Sequence, residues 1–201
     1  MLRTSLKKLT KSKVTDCWEI RLRGEARVLP SLRFFHPEFM SLASPHPLWT
    51  STGSSPYEVA KAIQQARFLS GRYRTESLCK HWSNNATGQC LSDSCKTEPK
   101  EETIEHILLF CPAYSSTRRK LYNFWINRSS GPTLQIVLEA LSSPTNLFMQ
   151  FLLDCSTIPN VIAATQLHGP DLLNNLFHLT RTWCFAFHRE RMKMLGRWNF
   201  A

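Results

Sequence analysis

Acidic residues are scarce in this chain, and that scarcity excludes several functions. Against 25 Lys and Arg stand 15 Asp and Glu, a formal net charge of +10. Just four of the acids are aspartates, Asp16, Asp93, Asp154 and Asp171, and none is paired as two-metal chemistry requires. There is no glycine-rich phosphate loop, no Gly-Lys-Ser/Thr signature, no internal repeat and no Ser/His/Asp arrangement to suggest nucleophilic catalysis. We therefore expect no catalytic residues in the isolated chain. No apolar run approaches the roughly 18 residues of a spanning helix, so no membrane is expected. The 7 cysteines are odd in number and have no secretory segment before them, which argues against a disulfide framework and for an intracellular chain, nuclear or cytoplasmic.

Three of those cysteines and one histidine fall in a single stretch, Cys90 to Pro112, with the spacing Cys90-x4-Cys95-x10-His106-x4-Cys111. Two ligand pairs on short segments, joined by a loop, are the layout of a closed four-ligand zinc site. Three sulfurs and one nitrogen fill a tetrahedral shell and leave no position for a catalytic water, so a structural Zn2+ is expected. Leu91 to Ser94 mostly turn easily. Glu101, Glu102 and Thr103 read as a helix start, with Thr103 able to cap. Pro112 discourages helix beyond Cys111. Five residues of ideal helix rotate a side chain well off its starting face. Ligation by both His106 and Cys111 therefore requires the helix to end or tighten there. Cys79 and His81 form a weaker upstream pair that could replace one ligand, and buried thiols beside a core histidine are the alternative without metal.

A positive chain points to a polyanionic partner, nucleic acid before an anionic surface. Arg72-Tyr73-Arg74 sets two bidentate phosphate binders around a ring that can stack on a base, and Lys80 repeats the theme. Equally, Tyr73 and Trp82 could pack under the cysteine-rich loop with the arginines in water. Arg118, Arg119 and Lys120 open a further helix, against the preference of the helix dipole. That conflict suits a phosphate-facing site, and a solvated basic face explains it as well.

The run FLSGRYRTESLCKHW (Phe68 to Trp82), then GQC, Cys95 and EETIEHILLFCPAY, resembles the C-terminal part of jockey-like non-LTR retrotransposon reverse transcriptases. The similarity rests on Gly71, Tyr73, Arg74 and Thr75, followed by Glu102, Thr103, His106, Cys111 and Pro112, and covers about residues 56 to 125. It implies a zinc-knuckle position downstream of a polymerase in a longer polyprotein. It does not imply polymerisation by this chain, because the paired aspartates of the polymerase are absent.

The rest of the chain predicts a mainly α fold, with short helices around a small zinc-stapled Cys-Cys-His-Cys module and an irregular or extended N-terminal part. Residues 1–50 are expected to hold a basic first helix reaching Trp18 and Ile20, then a proline-broken extended segment from Ala26 to Leu48. Residues 51–128 should carry a helix capped by Ser55 and ended at Gly71, the GRYRT segment and the module. Residues 129–201 should form a helical region. Its longest element would run from Pro170 to about Leu195 on the stripe Leu172, Leu176, Leu179, Trp183 and Phe187. The function these features suggest is a non-catalytic accessory segment binding RNA or target DNA. The alternative is a helical interaction module docking onto a polymerase core.

Overall fold

The computed structural model describes residues 2–29, 32–39 and 44–196. Its first helix, α1 (Leu2–Val28), has 27 residues and outlasts the 25-residue C-terminal helix that the sequence marks as longest. It continues through Ala26–Val28, where extended chain was expected. Polar residues surround it, and Val14, Trp18 and Ile20 remain in solvent. Such a helix relies on its own surface pairs. Arg21–Glu25 at 2.9 Å and Arg23–Glu19 at 3.4 Å supply two of them.

Among the described residues from 29 to 46 there is no α-helix, and Pro37–Phe39 forms a tight turn. The short α2 (Pro47–Thr50) starts where the His46 ring accepts the Leu48 N–H at 3.1 Å. Helix α3 (Pro56–Leu69) has Pro56 at its first position. Ser55 sits at its cap but contributes its backbone carbonyl, to the Val59 N–H, and no side-chain bond. Gly71, at φ +64°, then reverses the chain in a conformation that glycine adopts without penalty. After α4 (Glu76–Cys79) and the cysteine-rich loop come α5 (Ser115–Arg128), α6 (Gly131–Ser142), α7 (Thr145–Asp154), α8 (Pro159–His168) and α9 (Pro170–Met194). Among the described residues there is no strand, and the fold is mainly α as the periodicity indicates.

The leucine stripe of α9 is the axis of the core. Leu172, Leu176, Leu179, Trp183 and Phe187 are buried together with Phe177 and Cys184, and α3 brings Ala62 and Phe68 against them. Trp125 of α5 lies 4.7 Å from Trp183 between ring centroids, and Phe148 and Phe151 of α7 approach it edge-on. Polar groups lock the same packing. Gln65 donates from α3 to the Leu152 and Leu153 carbonyls and to the Thr180 hydroxyl. Arg181 reaches from α9 to the carbonyls of Leu48 and Ser51, satisfying the end of α2. The segments that the sequence separates near residue 128 thus share one core.

The stretch 145–168 is long and apolar enough by composition to cross a membrane, which a search for uninterrupted apolar runs does not reveal. A tight turn at Cys155–Thr157 breaks it into α7 and α8, and more than half of it is buried in the protein.

Removing the Trp125 ring should leave a cavity that the rigid α5–α7–α9 contact cannot close. Trp125→Ala is expected to cost about 3–5 kcal/mol, read as a lower urea midpoint at an unchanged slope.

Candidate metal centre

Between α4 and α5 the chain gives Ile107, Leu108 and three cysteines to the core, although its sequence is largely polar, and short backbone clamps shape the polar remainder. Cys90 donates its N–H to the Lys100 carbonyl at 2.8 Å, and Glu102 donates to Gly88 at 2.9 Å. Gly88 has φ +80°, and a Cβ there would lie 2.8 Å from the Lys80 side chain. Ser92 accepts the Ser94 N–H, turning Asp93–Cys95 into a single tight coil that aims Cys95 inward. Thr103 accepts the His106 N–H at 3.1 Å, the capping role expected of it.

His106 and Cys111 meet by a route the sequence did not suggest. The helix ends at Phe110, directly before Cys111, as required, but it does not tighten there. It widens into a π turn over His106–Phe110, closed by the Cys111 N–H on the His106 carbonyl at 2.6 Å. At about 100° per residue, five α-helical residues would carry Cys111 far around the axis. A turn closed at five residues returns it above His106. Pro112 follows at once and ends the helix.

These devices bring Cys90, Cys95, His106 and Cys111 together, all buried, with their ligand atoms within 4.8 Å of one another. The sulfurs of Cys90 and Cys95 each lie 3.8 Å from that of Cys111, and Cys95 Sγ is 3.5 Å from His106 Nε2. A tetrahedral ion with metal–sulfur bonds of about 2.3 Å and metal–nitrogen bonds of about 2.0 Å implies edges of roughly 3.8 and 3.5 Å. The sulfurs are also much too far apart for a disulfide. The cluster fits a metal ion and fills its shell. Cys79 is half-buried and His81 exposed, and neither belongs to the cluster.

Burial raises the pKa of the Cys90 and Cys111 thiols and lowers that of the His106 imidazole. The pocket therefore favours neutral ligands until a cation displaces the thiol protons. Arg118 lies beside it, donating to the Cys111 carbonyl at 2.6 Å, with burial pulling its own pKa down. It places a cation next to a site whose ligands would bring three negative charges. Arg118, expected to face phosphate, thus has one nitrogen engaged within the module.

Glu102 is the functional residue that the sequence conceals, since an acid beside a threonine reads as a helix start. It is fully buried and holds Arg191 of α9 in a two-pronged pair, at 3.1 and 2.8 Å, while accepting the Glu76 N–H at 2.6 Å. Burial works against the Arg191 charge, but the Glu102 hydrogen bonds and charge more than offset this and raise its pKa.

Arg72 and Arg74 are exposed and make no ion pair among the described residues. Tyr73 between them is buried, stacked on Phe68 at 3.8 Å, with Arg191 over its ring and its hydroxyl 3.2 Å from His188 Nδ1. This is the packing role left open by the sequence, and it leaves no open face for a base. Trp82 is 63 % exposed and does not pack under the module. Lys80 is exposed and paired with Glu101 at 3.3 Å, whereas Arg119 and Lys120 face solvent. No protein-family model, curated protein or solved structure matches the chain.

Purified protein should carry one metal ion per chain by elemental analysis. Cys90→Ser and His106→Ala should each weaken metal binding by more than the roughly 10–100-fold cost of losing an outer-shell partner. Affinity should fall as pH falls, because protons compete for the thiolates. Glu102→Ala should cost about 3–5 kcal/mol by stranding Arg191, measured by denaturant unfolding of the metal-loaded protein.

Proposed function

We propose that the chain is a zinc-stabilised, non-catalytic nucleic-acid-binding module. Zinc is the metal that suits this donor set best. Three thiolates and an imidazole at tetrahedral spacing match its softness and its indifference to ligand-field geometry. Because the four ligands close the shell, the ion would hold the loop in shape and would not activate water. The reading accords with the similarity of the GRYRT and Cys-Cys-His-Cys segments to the post-polymerase part of jockey-like non-LTR retrotransposon proteins. On that basis a polymerase domain upstream in a longer polyprotein would be its natural neighbour.

One observation carries the nucleic-acid assignment. Arg72, Arg74, Arg119 and Lys120 stand exposed, without acidic partners among the described residues, on the two segments that flank the metal centre. Cations left unpaired on a chain of net charge +10 favour a polyphosphate. Binding to RNA or DNA should therefore weaken with salt. Four phosphate contacts predict a log–log slope of roughly −3 to −4, checked by fluorescence anisotropy over a salt series.

A second reading, docking onto a protein such as a polymerase core, draws on the late helices. Leu138, Leu147 and Leu167 are about half exposed or more, and Ile136, Leu147, Phe151 and Val161 line a groove of about 300 Å3. That reading predicts feeble binding to nucleic acid and a flat response to salt.

A further inference from the structure

The turn after α3 creates a cleft lined by positive charge. Gly71 reverses the chain, and the Tyr73 N–H bonds the Arg67 carbonyl at 2.9 Å, folding the next residues back over the helix end. Alternation along this short segment sends Tyr73 into the core and leaves Arg72 and Arg74 outside. Together with Gln64 and Arg67 of α3 and His188 and Arg191 of α9, they line a cleft of about 450 Å3. Among the described residues, four arginines face it and no carboxylate does.

The charges in the cleft are unequal in kind. Glu102 satisfies Arg191 from behind. Arg67 touches just a neutral acceptor, Gln64 Oε1 at 3.4 Å, and Arg72 and Arg74 have no ion pair among the described residues. Burial lowers the His188 pKa to about 4, with Arg67 and Arg191 adding to the effect. Gathered like charges repel one another, and an anion seated among them would relieve that repulsion. Guanidinium groups take phosphate oxygens in pairs. Contacts to phosphate oxygens fix a strand in place and carry no sequence information.

Resting on the nucleic-acid reading above, we propose that the cleft between α3 and α9 seats the phosphodiester backbone of a nucleic-acid strand. Arg67, Arg72 and Arg74 are its phosphate ligands, and recognition there is independent of base sequence. Arg67 adds to the contacts visible in the sequence, where it looks like an ordinary part of an amphipathic helix.

The test uses the full, metal-loaded chain and fluorescent single strands of roughly a dozen nucleotides in two unrelated sequences. Arg67→Gln/Arg72→Gln is compared with Lys11→Gln/Lys13→Gln, which removes the same charge from α1. Both Arg67 and Arg72 are exposed, so metal content and helical circular dichroism should match the wild type. At about 100 mM salt the arginine variant should bind at least 10-fold more weakly, with a log–log slope shallower by about 1.4. The lysine variant should lose less than about 3-fold, and both sequences should behave alike. If the wild type binds and the arginine variant binds equally with the same slope, the cleft is not the site, while the nucleic-acid reading stands. Equal losses in both variants would replace the cleft with a diffuse field and overturn the proposal. Preference for one sequence would overturn its base-independence. Displacement of the strand by equimolar pyrophosphate or mononucleotide would make a small free phosphate the ligand instead. A wild type that binds no strand at low salt would end both readings.

Discussion

The architecture depends on one buried ion pair. Glu102 belongs to a loop that enters the core through Ile107 and Leu108, and Arg191 belongs to the helix around which that core is built. Their two-pronged contact ties the polar part of the loop to that helix, and the third bond of Glu102, to the Glu76 N–H, fixes the start of α4. A buried pair of this kind adds little net stability over an apolar substitute, but it is severe to break. Its contribution is therefore to placement. It fixes where the metal-ligand loop sits against α9 and, through the guanidinium over Tyr73, where the GRYRT segment lies.

The metal cluster and the ion pair divide the work of ordering residues 88–112. The four candidate ligands define the interior of the loop, where burial raises the pKa of the Cys90 and Cys111 thiols and lowers that of the imidazole. Glu102 and Arg118 define its exterior, one facing α9 and the other facing the carbonyl of a ligand residue. Two charged side chains that resemble surface residues in the sequence thus become brackets for the site. Arg67, Arg72 and Arg74 are among the arginines that the fold leaves without a carboxylate.

Legibility in the sequence followed the directness of the chemistry. Ligand spacing is a local quantity, so Cys90, Cys95, His106 and Cys111 could be named at once. The α9 stripe was equally plain, because leucines and aromatics at helical intervals have few other uses. Tertiary partners were illegible. Nothing near Glu102 announces Arg191, which lies 89 residues away. Nothing near Asp154 announces that it is buried and holds His46 and Ser156. Helix α1 was cut short in the reading because α-helical periodicity is the usual signal, and a helix polar on every side does not display it. The widened turn at His106 was missed for a related reason. Sequence patterns count in steps of 3.6, and this turn does not.

That turn makes the distance between the last two ligands a matter of register. A π turn holds one residue more than the α-helix it interrupts, and here it spans the interval from the His106 carbonyl to the Cys111 N–H. Adding or deleting a residue inside it would change which side chain completes the circuit, even with every ligand retained. Substitutions at Leu109 or Phe110, which are half-buried and exposed, keep that count and should be absorbed far more easily. The segment is in this sense a ruler of fixed length, permissive about what is written on it and strict about how many marks it carries.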